Sequence, residues 1–173
     1  MRSVKQIFHA MISLLFIGCL GYPDNIRPVK DFELKRYLGK WYEIARLDHS
    51  FERGLGKVTA EYSMRDDSGV KVLNRGFSKE KNEWSEAEGK AYFVNEPDEG
   101  YLKVSFFGPF YGAYVIYELD KDYQYAFVTS SKKSYLWFLS KTPAVSDELK
   151  AQFTKKAKEL GFDTDALIWV DQE

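Results

Sequence analysis

Cysteine and histidine are almost missing from this chain of 173 residues, which has one cysteine and two histidines. A single cysteine excludes a disulfide bond within the chain. So few cysteines and histidines also leave no cluster with the spacing of a zinc site. Nucleophilic catalysis needs a nucleophile beside an oriented base, and His49 falls in a predicted loop. We therefore expect neither an enzyme nor a metal or other cofactor.

The chain also lacks an excess of basic residues and a long apolar run. It has 25 basic and 26 acidic residues, for a formal net charge of -1, whereas nucleic-acid binding needs a clustered basic surface. The apolar run over residues 7–18 is only 12 residues long, and a membrane-spanning helix needs about 20. We therefore expect neither a nucleic-acid partner nor a transmembrane helix.

The short apolar run instead has the features of an export signal, with Arg2 and Lys5 before it. The only cysteine, Cys19, follows the small Gly18 at the end of the run. This arrangement resembles the lipobox of bacterial lipoproteins, which implies that the Cys19 thiol is acylated and anchors the protein to a membrane. An ordinary secretory signal with an incidental cysteine is the alternative.

The lipobox resemblance also predicts the location and the domain boundaries. Leu20 stands where inner-membrane lipoproteins commonly have aspartate, so the resemblance favours the outer membrane, facing the periplasm. We expect a signal peptide over residues 1–18, a lipidated cysteine with an extended tether over 19–31, and one domain over 32–173.

The domain alternates strand signals with turn signals about every ten residues. Residues 57–64 alternate strictly between apolar and polar, and residues 66–69 then read as a hairpin turn. The whole pattern predicts eight strands, over residues 41–47, 57–64, 70–77, 83–94, 101–107, 114–119, 123–130 and 134–140. Sequential hairpins in this number predict an all-β fold, an eight-stranded antiparallel up-and-down barrel.

The pattern changes near the end of the chain. Ser146 is a good N-cap, and Leu149, Phe153, Ala157 and Leu160 recur at helical spacing after it. Gly161 stands where a helix would end. We expect one amphipathic helix packed on the barrel wall, followed by a short strand over residues 166–170.

Three short motifs resemble those of the lipocalin family, in the family's order. Gly39-Lys40-Trp41 looks like the G-x-W motif of the first strand, and Tyr123 matches the tyrosine of the second motif. Residues 137–143 resemble the third motif, with Lys141 where the family has arginine. The resemblance covers nearly all of residues 30–172 and is closest to the bacterial lipocalins, then to apolipoprotein D.

The resemblance implies that Gly39, Trp41, Tyr123 and Lys141 close one end of the barrel and hold the fold rather than bind ligand. In lipocalins the cation of the third motif lies over the tryptophan of the first. We expect Lys141 to take that place over Trp41, without the planar group that an arginine would stack.

Alternate residues of a strand face the barrel interior, and this parity predicts a ligand-contacting set. For the third strand the phase follows the resemblance to apolipoprotein D. The set is Ala60, Tyr62, Met64, Val72, Asn74, Ala91, Phe93, Leu102, Val104, Phe106, Tyr114, Ile116, Tyr135, Trp137 and Leu139. Such a lining suits a long acyl chain with one polar head; the alternative is that these side chains simply fill the barrel.

The same parity directs Glu43 and Ala45 inward, where Glu43 could pair with a cation such as Lys141. Two loops, over residues 48–56 and 108–112, should lie at the open end. We call their aromatic residues Phe51, Phe110 and Tyr111 the aromatic lip. It would meet membrane lipid or a second subunit, or fold back over the barrel mouth. Lys132 and Lys133, in a third loop, would meet an anionic head or solvent.

These observations predict a membrane-anchored barrel that binds and stores or transports a fatty acid or lysophospholipid. Resemblance to the bacterial lipocalins implies a role in envelope maintenance. One alternative is an interaction protein with a packed barrel, which uses the aromatic lip to bind a partner or to form a homodimer. Another is a scavenger of other small hydrophobic molecules, such as haem or a pigment.

Overall fold

A computed structural model of the chain describes residues 20–173, and Cys19 and the predicted signal peptide lie outside these residues. Eight strands form the barrel: β1 Gly39–Arg46, β2 Leu55–Met64, β3 Val70–Ser78, β4 Glu83–Phe93, β5 Tyr101–Phe107, β6 Phe110–Leu119, β7 Tyr125–Thr129 and β8 Leu136–Ser140. A short helix, α1 (Leu34–Tyr37), precedes them, and helix α2 (Asp147–Glu159), a 3₁₀ turn (Thr164–Ala166) and strand β9 (Ile168–Trp169) follow.

Each barrel strand pairs antiparallel with the next one along the chain. Strand β1 closes the barrel because it pairs with β2, where Trp41 lies opposite Ala60, and with β8, where Tyr42 lies opposite Ser140. Strand β9 joins the edge of β1 beyond that closure, with Trp169 opposite Ala45. The predicted eight-stranded up-and-down barrel is confirmed, and all of it lies within residues 20–173.

A bulge in β1 changes the predicted facing of one residue. The register with β8 shifts between Glu43 and Ala45, so the simple alternation from Trp41 ends there. Ala45 therefore faces outward, in the apolar layer beneath helix α2, whereas Glu43 faces inward. The prediction that both face the interior is wrong for Ala45.

Most predicted strand boundaries differ from the observed ones by a few residues, and two of these differences affect named residues. Strands β5 and β6 extend to Phe107 and Phe110, so the predicted loop over residues 108–112 is only a tight turn. Tyr123 was predicted to begin a strand, but its φ of 60° places it in the turn before β7. Its hydroxyl there accepts a hydrogen bond from the backbone N–H of Glu33 at 2.9 Å.

Helix α2 packs against the outer wall of the barrel, as predicted. The Ser146 side chain caps its first turn by accepting from the Leu149 N–H, and Gly161, at φ +81°, follows its end. Phe153 is fully buried, with its ring centroid 4.9 Å from those of Phe127 and Phe138. One of the two hydrophobic cores therefore lies between helix and barrel, and the other lies inside the barrel.

The segment before α1 is docked on the barrel, which differs from the tether predicted over residues 19–31. Ile26 is 1% exposed. The Val29 N–H donates to the Ile116 carbonyl, and the Gly100 N–H donates to the Val29 carbonyl, both at 2.9 Å. Ile26 and Val29 are apolar, and burying them against the barrel stabilises the docked form. Within residues 20–173, no helix has the length and apolarity needed to cross a membrane.

Candidate binding cavity

The barrel encloses a cavity of about 700 Å³ that opens between the β1–β2 loop and the β5–β6 hairpin. Its volume is in the range of small-molecule sites. All but three of the predicted ligand-contacting residues line it: Ala60, Tyr62, Val72, Asn74, Ala91, Leu102, Val104, Phe106, Tyr114, Tyr135, Trp137 and Leu139. Their position in the wall agrees with the strand parity, and their contact with a ligand remains a prediction.

The other three, Met64, Phe93 and Ile116, lie outside the cavity wall. Met64 is 51% exposed at the end of β2, beyond the closed end of the barrel. Ile116 is fully buried, and Phe93 packs against Phe32 with ring centroids 6.1 Å apart. Parity predicts which way a side chain faces but not its height in the barrel, and the segment before β1 fills the closed end.

Trp41 and Lys141, from the first and third motifs, lie together at the closed end. Trp41 is fully buried. Lys141 Nζ lies 4.3 Å from the Trp41 ring centroid and donates to the Leu38 carbonyl at 2.7 Å. Burial lowers the pKa of Lys141. Gly39 is favoured here by its φ of +92°, since a Cβ would make only an ordinary contact with Lys141 Nζ at 3.7 Å. In place of the arginine that the family has here, the lysine provides a cation–π contact and one hydrogen bond.

Three tyrosine hydroxyls form a chain across the floor of the cavity. The Tyr114 hydroxyl lies 2.7 Å from that of Tyr37 and 2.8 Å from that of Tyr62. Burial raises the pKa of all three well above the ordinary value, so they are neutral hydrogen-bonding groups. Tyr37 was missed by sequence reasoning because it lies on α1, where strand parity gives no guidance.

A buried ionic cluster lies in the wall nearer the open end than the three tyrosines. Glu43, 3% exposed, accepts from Arg46 Nη1 at 2.7 Å, so its partner is Arg46 and not the expected Lys141. Glu52, from the β1–β2 loop, is 7% exposed and accepts from the Trp137 indole at 3.2 Å. His49 Nε2 lies 2.9 Å from the same carboxylate. Arg46 and Glu52 were not predicted, because the bulge that turns Arg46 inward and the fold of the loop are tertiary features.

One amide in the wall is incompletely paired. Asn74 lines the cavity, and its buried Oδ1 has no hydrogen-bond partner among residues 20–173. A buried polar atom without a partner is costly. A ligand that places a hydrogen-bond donor next to Asn74 Oδ1 would remove this cost.

The aromatic lip lines the mouth of the cavity and also exposes apolar surface to solvent. Phe51 is 59% exposed and Phe110 is 62% exposed, and next to Phe110 the strand residue Phe107 is 81% exposed. All three also line the mouth of the cavity, as do Tyr111 and Lys132. Large exposed apolar side chains around an opening are unusual for a surface in contact with water alone. Within residues 20–173, no group of three or more histidine, cysteine or acidic side chains could hold a metal ion.

A closed eight-stranded barrel with a helix on its wall and one largely apolar cavity defines a class of proteins that bind small hydrophobic ligands. A model of the lipocalin-like domain matches residues 32–172. The chain belongs to the lipocalin family.

Proteins with similar sequences extend this assignment. The chain is 60% identical over 171 residues to the outer membrane lipoprotein Blc of Vibrio cholerae serotype O1, covering 98% of this chain and all of the other. It is 48% identical over 174 residues to the protein of that name from Escherichia coli K12, covering 99% and 98%. Mouse apolipoprotein D is 29% identical over 154 residues, covering 84% and 80%. The names of the bacterial relatives confirm the predicted outer-membrane location.

Solved structures agree on the fold. Insecticyanin from the tobacco hornworm Manduca sexta superposes with a TM-score of 0.69 at 24% identity, covering 88% of this chain and 87% of that one. Lobster apocrustacyanin A1 superposes with a TM-score of 0.63 at 20% identity, covering 87% and 93%. At such identities the likeness concerns the barrel and its helix.

Proposed function

We propose that the cavity binds a single-chain lipid, a fatty acid or a lysophospholipid, and that the protein stores or transports it. The observation that carries the proposal is the open cavity of about 700 Å³. Its wall is mainly apolar and includes Val72 and Val104. Each methylene buried there contributes about 0.8 kcal/mol. The few polar groups of the wall suit a ligand with one polar headgroup on a single acyl chain. The protein acts by reversible burial, without catalysis.

We further propose that acylated Cys19 anchors the barrel to the outer membrane on its periplasmic side. The predicted lipobox and the names of the bacterial relatives support the anchor. Three residues after Cys19, Tyr22 packs against Tyr101 of the barrel, with ring centroids 5.1 Å apart. A barrel held this close to a membrane would exchange lipids for envelope maintenance.

A second candidate function rests on the exposed aromatic residues at the mouth. Phe107, at 81% exposure, and Phe110, at 62%, would bind a partner protein or a second copy of the chain. Replacing both by serine should abolish such association, measured by sedimentation, and lipid affinity is measured on the same variant because both side chains also line the cavity mouth. Loss of lipid binding without any change in association would instead assign these residues to the cavity.

Titration of residues 20–173 with a fatty acid and a lysophospholipid tests the main proposal. Trp137→Ala should weaken binding at least about tenfold, because it removes a large part of the apolar wall. Trp84→Ala is the matched control, since Trp84 is half exposed at the start of β4 and does not line the cavity. Saturable binding that Trp84→Ala leaves intact would support the proposal, and no binding of either lipid would refute it.

A further inference from the structure

Strands β1 and β2 separate from each other toward the open end of the barrel. Their ladder ends where Tyr42 lies opposite Thr59. A register shift follows in each strand relative to its other neighbour, after Glu43 in β1 and after Gly56 in β2. Such bulges commonly terminate strand pairing. The barrel wall therefore has a seam at which two neighbouring strands are not paired with each other.

The segment that follows β9 fills this seam, and we call its residues 170–173 the strap. The Val170 N–H donates to the Ile44 carbonyl of β1 at 2.9 Å. On the other side, the Lys57 N–H of β2 donates to the Asp171 carbonyl at 2.6 Å. The strap thus bonds to both strands and takes the place of their missing ladder.

The side-chain amide of Gln172 joins β1 to β2 directly. Its Nε2 donates to the Glu43 carbonyl at 2.7 Å and to the Val58 carbonyl at 3.0 Å. Glu43 and Val58 are the residues that would form the next pair after Tyr42 and Thr59 if the ladder continued. One side chain therefore holds the seam closed at the point where backbone pairing stops.

The strap separates the cavity from a groove on the outer face of the barrel. Glu43, Leu55 and Val58 line the cavity on the inner side of the seam. The strap residues line the outer groove, of about 420 Å³, together with Ile44 and Trp169. Movement of the strap away from the wall would connect these two spaces.

The contacts that hold the strap are few and close to solvent. Asp171 and Glu173 are exposed, and Gln172 is half-buried. The ion pair of Asp171 with Lys79 is exposed, and exposed pairs contribute little to stability. Segments with few buried contacts open at a lower free energy than the whole fold. The strap can therefore open while the ladders of the barrel stay intact.

We propose that the strap is a gate, which moves away from β1 and β2 and opens a side portal through which a single-chain lipid enters and leaves the cavity. This inference rests on the proposed lipid-binding function and adds the route of exchange. A lipid that leaves through the mouth gives up its apolar surroundings to water, which is unfavourable. A chain that passes through the seam instead moves past Val58 to the groove beside Ile44 and Trp169.

A disulfide bond between Gly56 and Asp171 would lock the gate reversibly. A Cβ built on Gly56 lies 4.0 Å from the Asp171 Cβ, which is within the range for a disulfide. Residues 20–173 with Gly56→Cys and Asp171→Cys contain these two cysteines alone, because the natural one is Cys19. Oxidation ties the strap to β2, and reduction frees it in the same protein.

The measurement is the release of cis-parinaric acid, a fluorescent fatty acid, displaced by excess oleate in a stopped-flow instrument. Oxidation of the double variant should slow release at least about fivefold, and reduction should restore the rate. The equilibrium affinity should stay within about twofold, because a gate changes the rates of entry and exit together. Gly56→Cys alone, treated with the same oxidant, is the control and should keep its release rate.

Gln172→Ala tests the gate in the opposite direction. It removes both hydrogen bonds that cross the seam, so loading and release should each become at least about fivefold faster. Gln152→Ala is the matched control, because Gln152 is exposed on α2 and its amide donates to the Tyr125 hydroxyl at 3.3 Å. Its rates should equal those of the unmodified chain.

The outcomes separate the gate from the function on which it rests. An unchanged release rate on oxidation would overturn the gate and assign exchange to the mouth, with the lipid cavity still standing. If the disulfide does not form, an unchanged rate in Gln172→Ala overturns the gate in the same way. If the unmodified chain does not bind cis-parinaric acid, the proposed function itself fails.

Discussion

Gly112 offers a way to fill the cavity without disturbing the fold. It lies on β6 opposite Val104, with its bare Cα in the cavity wall. A Cβ built on Gly112 meets no atom within 4 Å, so a larger side chain there enters open space. We predict that Gly112→Leu occupies part of the ligand volume and leaves the barrel intact.

The size of the effect follows from the displaced volume. A leucine side chain has four carbon atoms and excludes about four methylenes of a bound chain. At about 0.8 kcal/mol each, ligand binding loses ~3 kcal/mol, which is a weakening of roughly a hundredfold. Folding should gain slightly, because glycine within a strand costs about 0.5–1 kcal/mol.

The assay is lipid titration together with chemical unfolding of the same samples. Glu61→Leu is the control, since it adds the same side chain to an exposed position of β2. Only Gly112→Leu should lose affinity, and its free energy of unfolding should not fall. Unchanged lipid affinity in Gly112→Leu would show that the ligand does not occupy this cavity.

Three further predictions concern the frame around the cavity, and unfolding by urea checks each. Lys141→Ala should cost about 1–2 kcal/mol, because it removes the contact with Trp41 and the hydrogen bond to Leu38; Lys141→Arg should restore most of it. Phe153→Ala should cost about 3–5 kcal/mol, since it leaves a cavity between helix and barrel; a loss under 1 kcal/mol would contradict that packing. Lys30, at 2.9 Å, lowers the pKa of Glu99, so the stability that Glu99 adds is present above the ordinary glutamate pKa and disappears as pH falls below it. Glu99→Gln should therefore lose less stability on acidification than the unmodified chain.

The repeated parts of the fold were predictable from the sequence. Strand parity holds from Ala60 to Val104 because each strand is half buried and a slip of one residue would turn its apolar face to water. Helix α2 was predictable for a similar reason, since the Ser146 cap and the spacing of Phe153 and Ala157 are local signals.

The features that were missed depend on contacts between distant parts of the chain. The bulge after Glu43 turns Ala45 outward, and no local pattern signals it. The docked position of Ile26 and Val29 needs the finished barrel as its partner. The placement of Glu52 also needs it, because this residue lines the cavity and accepts from Trp137 only when its loop folds against the barrel.

Mass spectrometry of what the protein carries tests the central claim most directly. Residues 20–173 would be purified without detergent, extracted with a mild organic solvent and compared with Gly112→Leu prepared in the same way. We predict fatty acid or lysophospholipid at close to one molecule per barrel in the unmodified chain and much less in the variant. A barrel that is empty after purification and stays empty when both lipids are added would contradict the account.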